Sequence, residues 1–301
     1  MYRQAFRTED LKSALEDALG FKIESFVRLG GGGAVNFKAK RARDGLSFVV
    51  KCFPPDRYQA YEFLSKTLRI LQGVKTPCVL FDEKCPDEFA HHKILCLAWQ
   101  DGEVIRPDQL TDGQWIAFLD DYKAFSDRLQ SIRTDDPVLP VRGLWVAARA
   151  SCRGLRGRLL RSALDKMQED ELDYRPGSAG CVHGDFHRGN LLFKGGGLSC
   201  IMDLESVRRG HPAEDICALL LISARRLQRS EKARLQRLLE LFRLAIARLG
   251  YPPYVWRSAI NALYVRTLCR KTDGLRKMGF LKILEMYRRA KTSNLFRQQV
   301  G

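Results

Sequence analysis

The sequence lacks the features that would place it in a membrane or among exported proteins. No apolar run approaches the roughly 18–20 residues that a membrane-spanning helix needs, and the longest clean run is near residues 217–222, CALLLI. Residues 1–19 have the pattern of an amphipathic helix, without the unbroken apolar stretch of a signal peptide. We therefore expect a cytoplasmic protein, with peripheral contact to the inner face of the membrane as a further option.

The sequence also lacks the patterns of a disulfide or zinc framework, of repeats and of disorder. Its 9 cysteines are scattered and odd in number, with no C-x-x-C pair, which favours buried free thiols in a reducing compartment. There is no internal repeat and no low-complexity linker. Hydrophobic and charged fractions of 45% and 29% are those of an ordinary globular protein.

The positive charge of the chain is concentrated near its C-terminal end. The net charge is +16 at pH 7, and from residue 221 onward 19 Lys and Arg stand against 4 Asp and Glu. The first 220 residues are therefore close to neutral. Such a segment is either a solvated helix face or a surface for an anionic partner. Basic and aromatic residues do not interleave as in RNA-binding modules, so we expect no nucleic acid as a partner.

The order of apolar patterns predicts an α+β protein with two lobes. After a leading helix, three runs with strand character lie within residues 22–53, and a helical pattern over 58–74 precedes two more strand-like runs. Amphipathic helices dominate after Asp101-Gly102, interrupted by short strands within 180–206. We predict a smaller lobe over 1–100, with an antiparallel sheet, and a larger, mostly helical lobe over 101–301.

One stretch, GCVHGDFHRGNLLF (180–193), carries most of the chemical information. Asp185 and Asn190 are five residues apart, and Asp203 stands thirteen residues further on, at the end of the apolar run LSCIM. A phosphoryl-transfer site needs a carboxylate beside the attacking hydroxyl and hard oxygen ligands for Mg²⁺. The pattern H-x-D-x4-N-x12-D has the spacing of a kinase catalytic loop and its metal-binding aspartate. It predicts Asp185 as the catalytic residue and Asn190 and Asp203 as metal ligands.

Two other interpretations of this stretch stay open from the residues alone. His183, Asp185 and His187 alternate as the ligands of a transition metal would on a strand. Gly184 and Gly189 favour a tight loop instead, and few histidines remain elsewhere to complete such a site. A purely structural loop, in which His183 hydrogen-bonds to the backbone, is the second alternative.

The N-terminal region holds a separate candidate site for phosphate. Glycines between two strands could cover phosphates with backbone amides, although the third glycine of G-x-G-x-x-G is absent and a plain hairpin turn is the alternative. Lys51 ends the run LSFVVK, which resembles the V-A-I-K pattern; alternatively it points to solvent. Glu62 on the following helix is its predicted partner, with Asp56 as the other option. The glycines are Gly30, Gly31, Gly32 and Gly33.

With these residues in order, the chain resembles the aminoglycoside phosphotransferase and choline kinase family, which has a bilobal protein-kinase-like fold. VHGDFHRGNLLF is similar to the catalytic loop of that family, and IMDLESVRRGHPAEDICAL is similar to its aspartate–x–glutamate segment followed by G-x-P-x-x-D. The resemblance covers essentially the whole chain. It implies ATP and Mg²⁺ as cofactors, a nucleotide-binding lobe over 1–100, and a catalytic and acceptor-binding lobe over 101–301.

The resemblance also implies a role for each matching residue. Asp185 would act as the base or orient the acceptor hydroxyl, and Lys51 would bind the α- and β-phosphates beneath the glycines. Backbone groups around Leu97 and Trp99 would hold the adenine. Asp215 would be a structural acid that steadies the catalytic loop.

Two departures separate the chain from protein kinases. Leu204-Glu205 follow Asp203 in place of Phe-Gly, and only 11 residues lie between Asp203 and Asp215, which leaves no room for an activation loop. Regulation by loop phosphorylation is therefore not expected, and a small-molecule acceptor fits better than a protein.

We therefore predict an ATP- and Mg²⁺-dependent phosphotransferase that acts on a hydroxyl of a small molecule or sugar. The basic C-terminal segment favours an anionic or membrane-associated acceptor, such as a lipopolysaccharide core sugar, over a polycationic drug. Residues 225–243 could dock on an anionic membrane. The alternatives are an antibiotic kinase or an amino-alcohol kinase of the choline or homoserine type and, from another class, a non-catalytic nucleotide-binding or nucleic-acid-binding protein.

Overall fold

The computed structural model describes most of the chain, in two compact units. The first unit comprises residues 1–102 with 199–205, and the second comprises 103–198 with 206–301. The return of 199–205 to the first unit is a feature that the sequence pattern does not indicate. Gly31, Gly32 and Gly33 and much of the basic C-terminal segment lie outside the described residues. Those described are 7–30, 34–80, 88–89, 91–132, 146, 165, 180–228, 230–269 and 292–300.

The first unit contains the predicted antiparallel sheet. Its strands lie in the order β1-β2-β3-β6-β4, and the short β5 pairs with β6. β-Branched and aromatic residues, as in SFVVKCF, favour this extended structure. The strands are β1 (Ile23–Leu29), β2 (Val35–Arg41), β3 (Ser47–Phe53), β4 (Val79–Leu80), β5 (Glu88–Phe89) and β6 (His92–Ala98).

Helix α1 (Thr8–Leu19) covers one face of this sheet. Leu11, Leu15 and Leu19 recur at every fourth position, so they share one side of the helix, and all three are buried. Burial of each leucine contributes roughly 2 kcal/mol. The strand residues packed with them include Phe37, Ala39, Phe48, Val50, Cys52, Ile94 and Cys96.

The opposite face of the sheet carries Lys51. Lys51 lies across from Asn36 on β2 and from Leu95 on β6, and residues directly opposite in antiparallel strands point to the same side. Val50 and Cys52, its neighbours on β3, belong to the cluster under α1. Alternation along the strand therefore places the Lys51 side chain away from α1. Helix α2 (Tyr58–Ile70) follows β3 through a short turn.

The second unit is mostly helical. Helix α3 begins with a capping box, because Thr111 and Gln114 exchange side-chain hydrogen bonds with each other's backbone N–H groups. The Trp115 indole is buried and donates to the Leu241 carbonyl at 2.8 Å. The helices of its described residues include α3 (Asp112–Leu129), α4 (Ala213–Arg225), α5 (Lys232–Leu249) and α6 (Pro253–Cys269).

Short strands frame the predicted catalytic loop. β7 (Cys181–Val182) pairs with β10 (Arg208–Arg209), and β8 (Leu191–Lys194) forms a two-stranded sheet with β9 (Gly197–Ile201). The boundary between the two units passes through β9. Among the helices of the described ranges, none is both long and apolar enough to cross a membrane.

Candidate active site

Gly184 makes the turn that follows β7 in the predicted catalytic loop. Its φ of 81° lies in the left-handed region that glycine adopts without strain. A Cβ built on Gly184 would lie 2.1 Å from the Ser206 carbonyl oxygen, so a side chain cannot be accommodated without a backbone shift. The chain therefore uses glycine at this position in order to turn closely against residue 206 and present Asp185.

Asp215 on α4 fixes the backbone of this loop through hydrogen bonds. Its carboxylate accepts the backbone N–H of His183 at 2.8 Å and that of Gly184 at 3.2 Å. The Tyr122 hydroxyl lies 3.2 Å from the same carboxylate and 2.8 Å from the Pro212 carbonyl. This is the structural role that the family resemblance implies for Asp215.

Burial shifts the pKa values of Asp215 and Tyr122. It raises the pKa of the Asp215 carboxyl above its ordinary value of 3.8, while His183 and the two backbone N–H groups act in the opposite direction. Burial, followed by the negative charge of Asp215, raises the pKa of Tyr122 well above 10. Tyr122 therefore stays a neutral hydrogen-bond donor.

Phe186, which lies between Asp185 and His187 in the sequence, orients the loop by burying its ring. The ring is fully buried and lies 5.1 Å from the Tyr122 ring and 5.4 Å from the His183 ring, centroid to centroid. The side chain of Asp185, in contrast, is 49% exposed. The inward phenylalanine leaves the neighbouring carboxylate free to face a substrate.

Asn190 is tied to Asp185 through the backbone. Its side-chain amide donates to the Asp185 carbonyl at 2.9 Å. An amide nitrogen only donates hydrogen bonds, so the amide oxygen is the atom of this side chain that could bind a cation. The backbone N–H of Asp185 donates in turn to His183 Nδ1 at 3.3 Å, so His183 hydrogen-bonds to the backbone, as the structural alternative for this residue predicts.

The histidine alternation is not a transition-metal site in the part of the chain that the structure describes. There, no group of three or more His, Cys, Asp or Glu side chains is placed to hold a metal ion. His187 Nδ1 accepts the Gly189 N–H at 3.0 Å, and its Nε2 lies 3.6 Å from an oxygen of Asp185. His183 is buried and serves the backbone. The stretch is a braced loop that presents one carboxylate.

In the first unit, Lys51 forms an ion pair that differs from the predicted one. Its ammonium donates to Glu205, and an oxygen of Asp203 lies 4.0 Å away. Glu62 is exposed on α2, whose buried residues include Leu64 and Leu68. At about 100° per residue, Glu62 lies far round the helix from both leucines. The predicted pairing of Lys51 with Glu62 is thus corrected to Glu205, and a nucleotide-binding role for Glu62 stays a prediction.

Asp203 follows β9 in an unusual backbone conformation. Its φ is 60°, one of two positive values found for non-glycine residues in the described ranges. Such a conformation is costly for a residue with a Cβ and is enriched at functional sites. The carboxylate is 51% exposed, so it is available to a ligand, as the prediction of a metal-binding aspartate requires.

Some groups of the segment predicted to hold adenine, around Leu97 and Trp99, are buried or hydrogen-bonded within the protein. Leu97 is buried on β6, and the Trp99 N–H donates to the Ser47 carbonyl at 3.2 Å. The Trp99 indole donates to Asp101, and Lys38 Nζ lies 3.8 Å from the centre of its ring. Gly30 is the last described residue before the glycine loop. The roles of these residues toward a nucleotide stay predictions.

Part of the basic charge of the second unit is used within the unit. Arginines of α5 form ion pairs with aspartates in and just before α3, at N–O distances of 2.7 to 2.8 Å. The charge of this helix therefore contributes to helix packing, and less of it faces a partner than a count from the sequence suggests. The pairs are Arg234 with Asp108, Arg237 with Asp112 and Arg248 with Asp120.

Solved structures with a similar fold include an amicoumacin kinase and aminoglycoside phosphotransferases. An amicoumacin kinase in complex with AMP-PNP and Ca²⁺ has a TM-score of 0.63 and 12% identity, with 96% of each chain covered. ADP-bound aminoglycoside phosphotransferase APH(2'')-Ib has a TM-score of 0.61 and 16% identity, with 95% of this chain and 98% of that chain covered. A streptomycin–ATP complex of APH(2'')-IIa has a TM-score of 0.60 and 15% identity, with 96% and 99% covered.

These likenesses confirm the predicted bilobal, protein-kinase-like α+β fold class, and the family itself is shown by the sequence. No curated protein matches the chain. The profile of the family described as "Phosphotransferase enzyme family" (APH) matches residues 26–250, a span that includes Lys51, Asp185, Asn190 and Asp203. The chain belongs to this phosphotransferase enzyme family.

Proposed function

We propose that this protein transfers the γ-phosphoryl group of ATP to a hydroxyl group of a small molecule or sugar, with Mg²⁺. The observation that carries the proposal is the loop around Asp185. Gly184 turns it, Asp215 holds its backbone, and the buried Phe186 leaves the carboxylate half exposed. A carboxylate presented in this way can accept the proton of an acceptor hydroxyl or orient that hydroxyl for attack.

The other predicted residues have side chains that suit phosphates and a hard cation. The amide oxygen of Asn190 and the carboxylate of Asp203 are oxygen donors of the kind that Mg²⁺ prefers. When bound, Mg²⁺ would neutralise charge on the phosphates. Lys51 is only 12% exposed and would donate hydrogen bonds to phosphate oxygens. The fit of this donor set supports ATP and Mg²⁺ as the cofactors.

The test is a screen of ATP consumption followed by one substitution. Candidate acceptors are aminoglycosides, amino alcohols, neutral sugars and phosphorylated core oligosaccharides. With the acceptor found, Asp185→Asn should lower the rate at least roughly a hundredfold, because general acid–base residues contribute about 10²–10⁴-fold. Asp127→Asn is the control, since Asp127 is an exposed carboxylate on α3 that forms an ion pair with Lys123. Full activity of Asp185→Asn would refute the proposed role.

We propose that the acceptor is anionic, such as a phosphorylated or acidic lipopolysaccharide core sugar, and that the basic segment helps the protein to reach it. The balance of +15 from residue 221 onward supports this class. Three arginines of α5 are used in ion pairs. Among the described residues, the exposed Arg226 and Lys232 are therefore better candidates for contact with an anionic acceptor. An antibiotic or amino-alcohol acceptor is the alternative, and the structures of similar fold include an amicoumacin kinase and aminoglycoside phosphotransferases.

Salt dependence separates these acceptors and also tests peripheral membrane contact. Binding of a phosphorylated core oligosaccharide, or of phosphatidylglycerol vesicles, should weaken steeply from low to high salt, because exposed charges are screened. Neutral phosphatidylcholine vesicles are the control for the membrane. Binding that does not change with salt, or activity confined to an aminoglycoside, would contradict an anionic acceptor while leaving phosphoryl transfer intact.

A further inference from the structure

Glu205 is the glutamate of the aspartate–x–glutamate segment, and it stands where protein kinases have the glycine of Asp-Phe-Gly. We infer that Glu205 is the positioning residue for Lys51, the function that sequence reasoning assigns to Glu62. The inference rests on the proposed function, because it concerns how Lys51 is held for phosphate binding. It assigns both acidic residues of the segment Asp203–Leu204–Glu205 to the nucleotide site, Asp203 toward the metal and Glu205 toward Lys51.

The contacts of Glu205 are those of a carboxylate fixed between two cations. One oxygen accepts a hydrogen bond from Lys51, and the other lies 3.8 Å from the Arg57 guanidinium. The side chains of Lys51 and Glu205 are 12% and 16% exposed. Ion pairs at this depth are less screened than surface pairs, and charge-assisted hydrogen bonds are stronger than neutral ones. The pair therefore restricts the ammonium to one place.

The same short turn also fixes Asp203. Residues Leu204–Ser206 form one turn of 3-10 helix, and Leu204 is buried at its start. The carboxylates on either side of Leu204 both lie near Lys51, Glu205 in a hydrogen bond and Asp203 at 4.0 Å. Since one buried leucine anchors both, the phosphate-binding lysine and the predicted metal ligand are placed together.

The ammonium of Lys51 keeps donors for a nucleotide while it is held. An ammonium has three N–H donors, and one is used by Glu205. The remaining donors can reach phosphate oxygens, so Glu205 need not be displaced when ATP binds. Loss of the Glu205 carboxylate should therefore weaken nucleotide binding because Lys51 is no longer held in place, and not because the protein unfolds.

The experiment measures the binding of AMP-PNP with Mg²⁺ to the full chain by calorimetry. Glu205→Gln should raise the Kd at least roughly tenfold, because it leaves a partly buried lysine without its charged partner. Glu205→Asp, which keeps the carboxylate, should recover part of the affinity. Glu24→Gln is the control, since Glu24 lies on β1 of the same sheet and is a half-exposed carboxylate that pairs with Lys40. Thermal unfolding of each variant reports whether it folds.

A double-mutant cycle distinguishes an effect of Glu205 through Lys51 from a general effect on the structure. In a Lys51→Met background, Glu205→Gln should change the Kd less than roughly threefold, because the two act as one pair. An undiminished effect in that background would overturn the inference, as would a larger loss from Glu62→Gln than from Glu205→Gln. Failure of the wild type to bind AMP-PNP would contradict the proposed function and the inference together. Wild-type binding with an unaffected Glu205→Gln variant would contradict the inference alone.

Discussion

Replacing Gly184 with alanine tests whether the loop before Asp185 is built as described. The added methyl group meets two penalties. The first is the left-handed φ of 81°, which costs an L-residue roughly 1–2 kcal/mol. The second is steric, because the new Cβ would lie 2.1 Å from the Ser206 carbonyl oxygen, and forced overpacking costs about 1–3 kcal/mol. The sum predicts a loss of roughly 2–5 kcal/mol in the free energy of unfolding.

Gly195 provides the matched control within the same unit. Its φ is also positive, at 60°, but nothing lies within 4 Å of a Cβ built there. Gly195→Ala should therefore cost only the conformational part, roughly 1–2 kcal/mol. Urea denaturation followed by circular dichroism gives both values. Equal destabilisation by the two substitutions would refute the close packing of residue 184 against residue 206.

The remaining predictions concern Asp215. Asp215→Asn should lower the free energy of unfolding by roughly 1–3 kcal/mol, because the amide group cannot accept both N–H bonds of His183 and Gly184 as a carboxylate does; urea denaturation measures the loss. Because burial raises the folded-state pKa of Asp215 above 3.8, its ionisation is linked to folding with a defined sign. Its contribution to stability is full below pH 3.8 and declines as the pH rises through the raised pKa. Other carboxyls with lowered pKa values, such as Asp44 and Asp120, act with the opposite sign in the same pH range, so the difference in unfolding free energy between the wild type and Asp215→Asn is measured against pH. This difference should shift against the wild type as the pH rises through the raised pKa of Asp215, and a shift in favour of the wild type would contradict the assignment.

Much of the fold could be predicted because its signals are local. The leucines of α1 recur with helical spacing, and the alternating, β-branched runs of β2 and β3 lie close to where the sequence places them. The loop containing Asp185 was also predictable, because its spacing to Asn190 is a short-range pattern. The bracing of the loop by Asp215 follows from the family resemblance and is visible in the hydrogen bonds to His183 and Gly184.

The features that sequence reasoning missed depend on long-range contacts. Lys51 and Glu205 are 154 positions apart, and no local pattern connects them. The helical phase of Glu62 relative to Leu64 and Leu68 was the available signal that it faces away. Similarly, a count of charges could not show that Arg248 is paired with an aspartate on another helix.

The central claim is that Asp185 serves phosphoryl transfer from ATP, and single-turnover transfer from γ-labelled ATP tests it most directly. Wild type and Asp185→Asn are compared with the acceptor found by screening. The ATP concentration is chosen to be saturating, on the basis of the Kd measured for AMP-PNP. The account predicts that Asp185→Asn binds the nucleotide with nearly unchanged affinity and forms labelled product at least roughly a hundredfold more slowly. Labelled product formed at the wild-type rate by Asp185→Asn would contradict it.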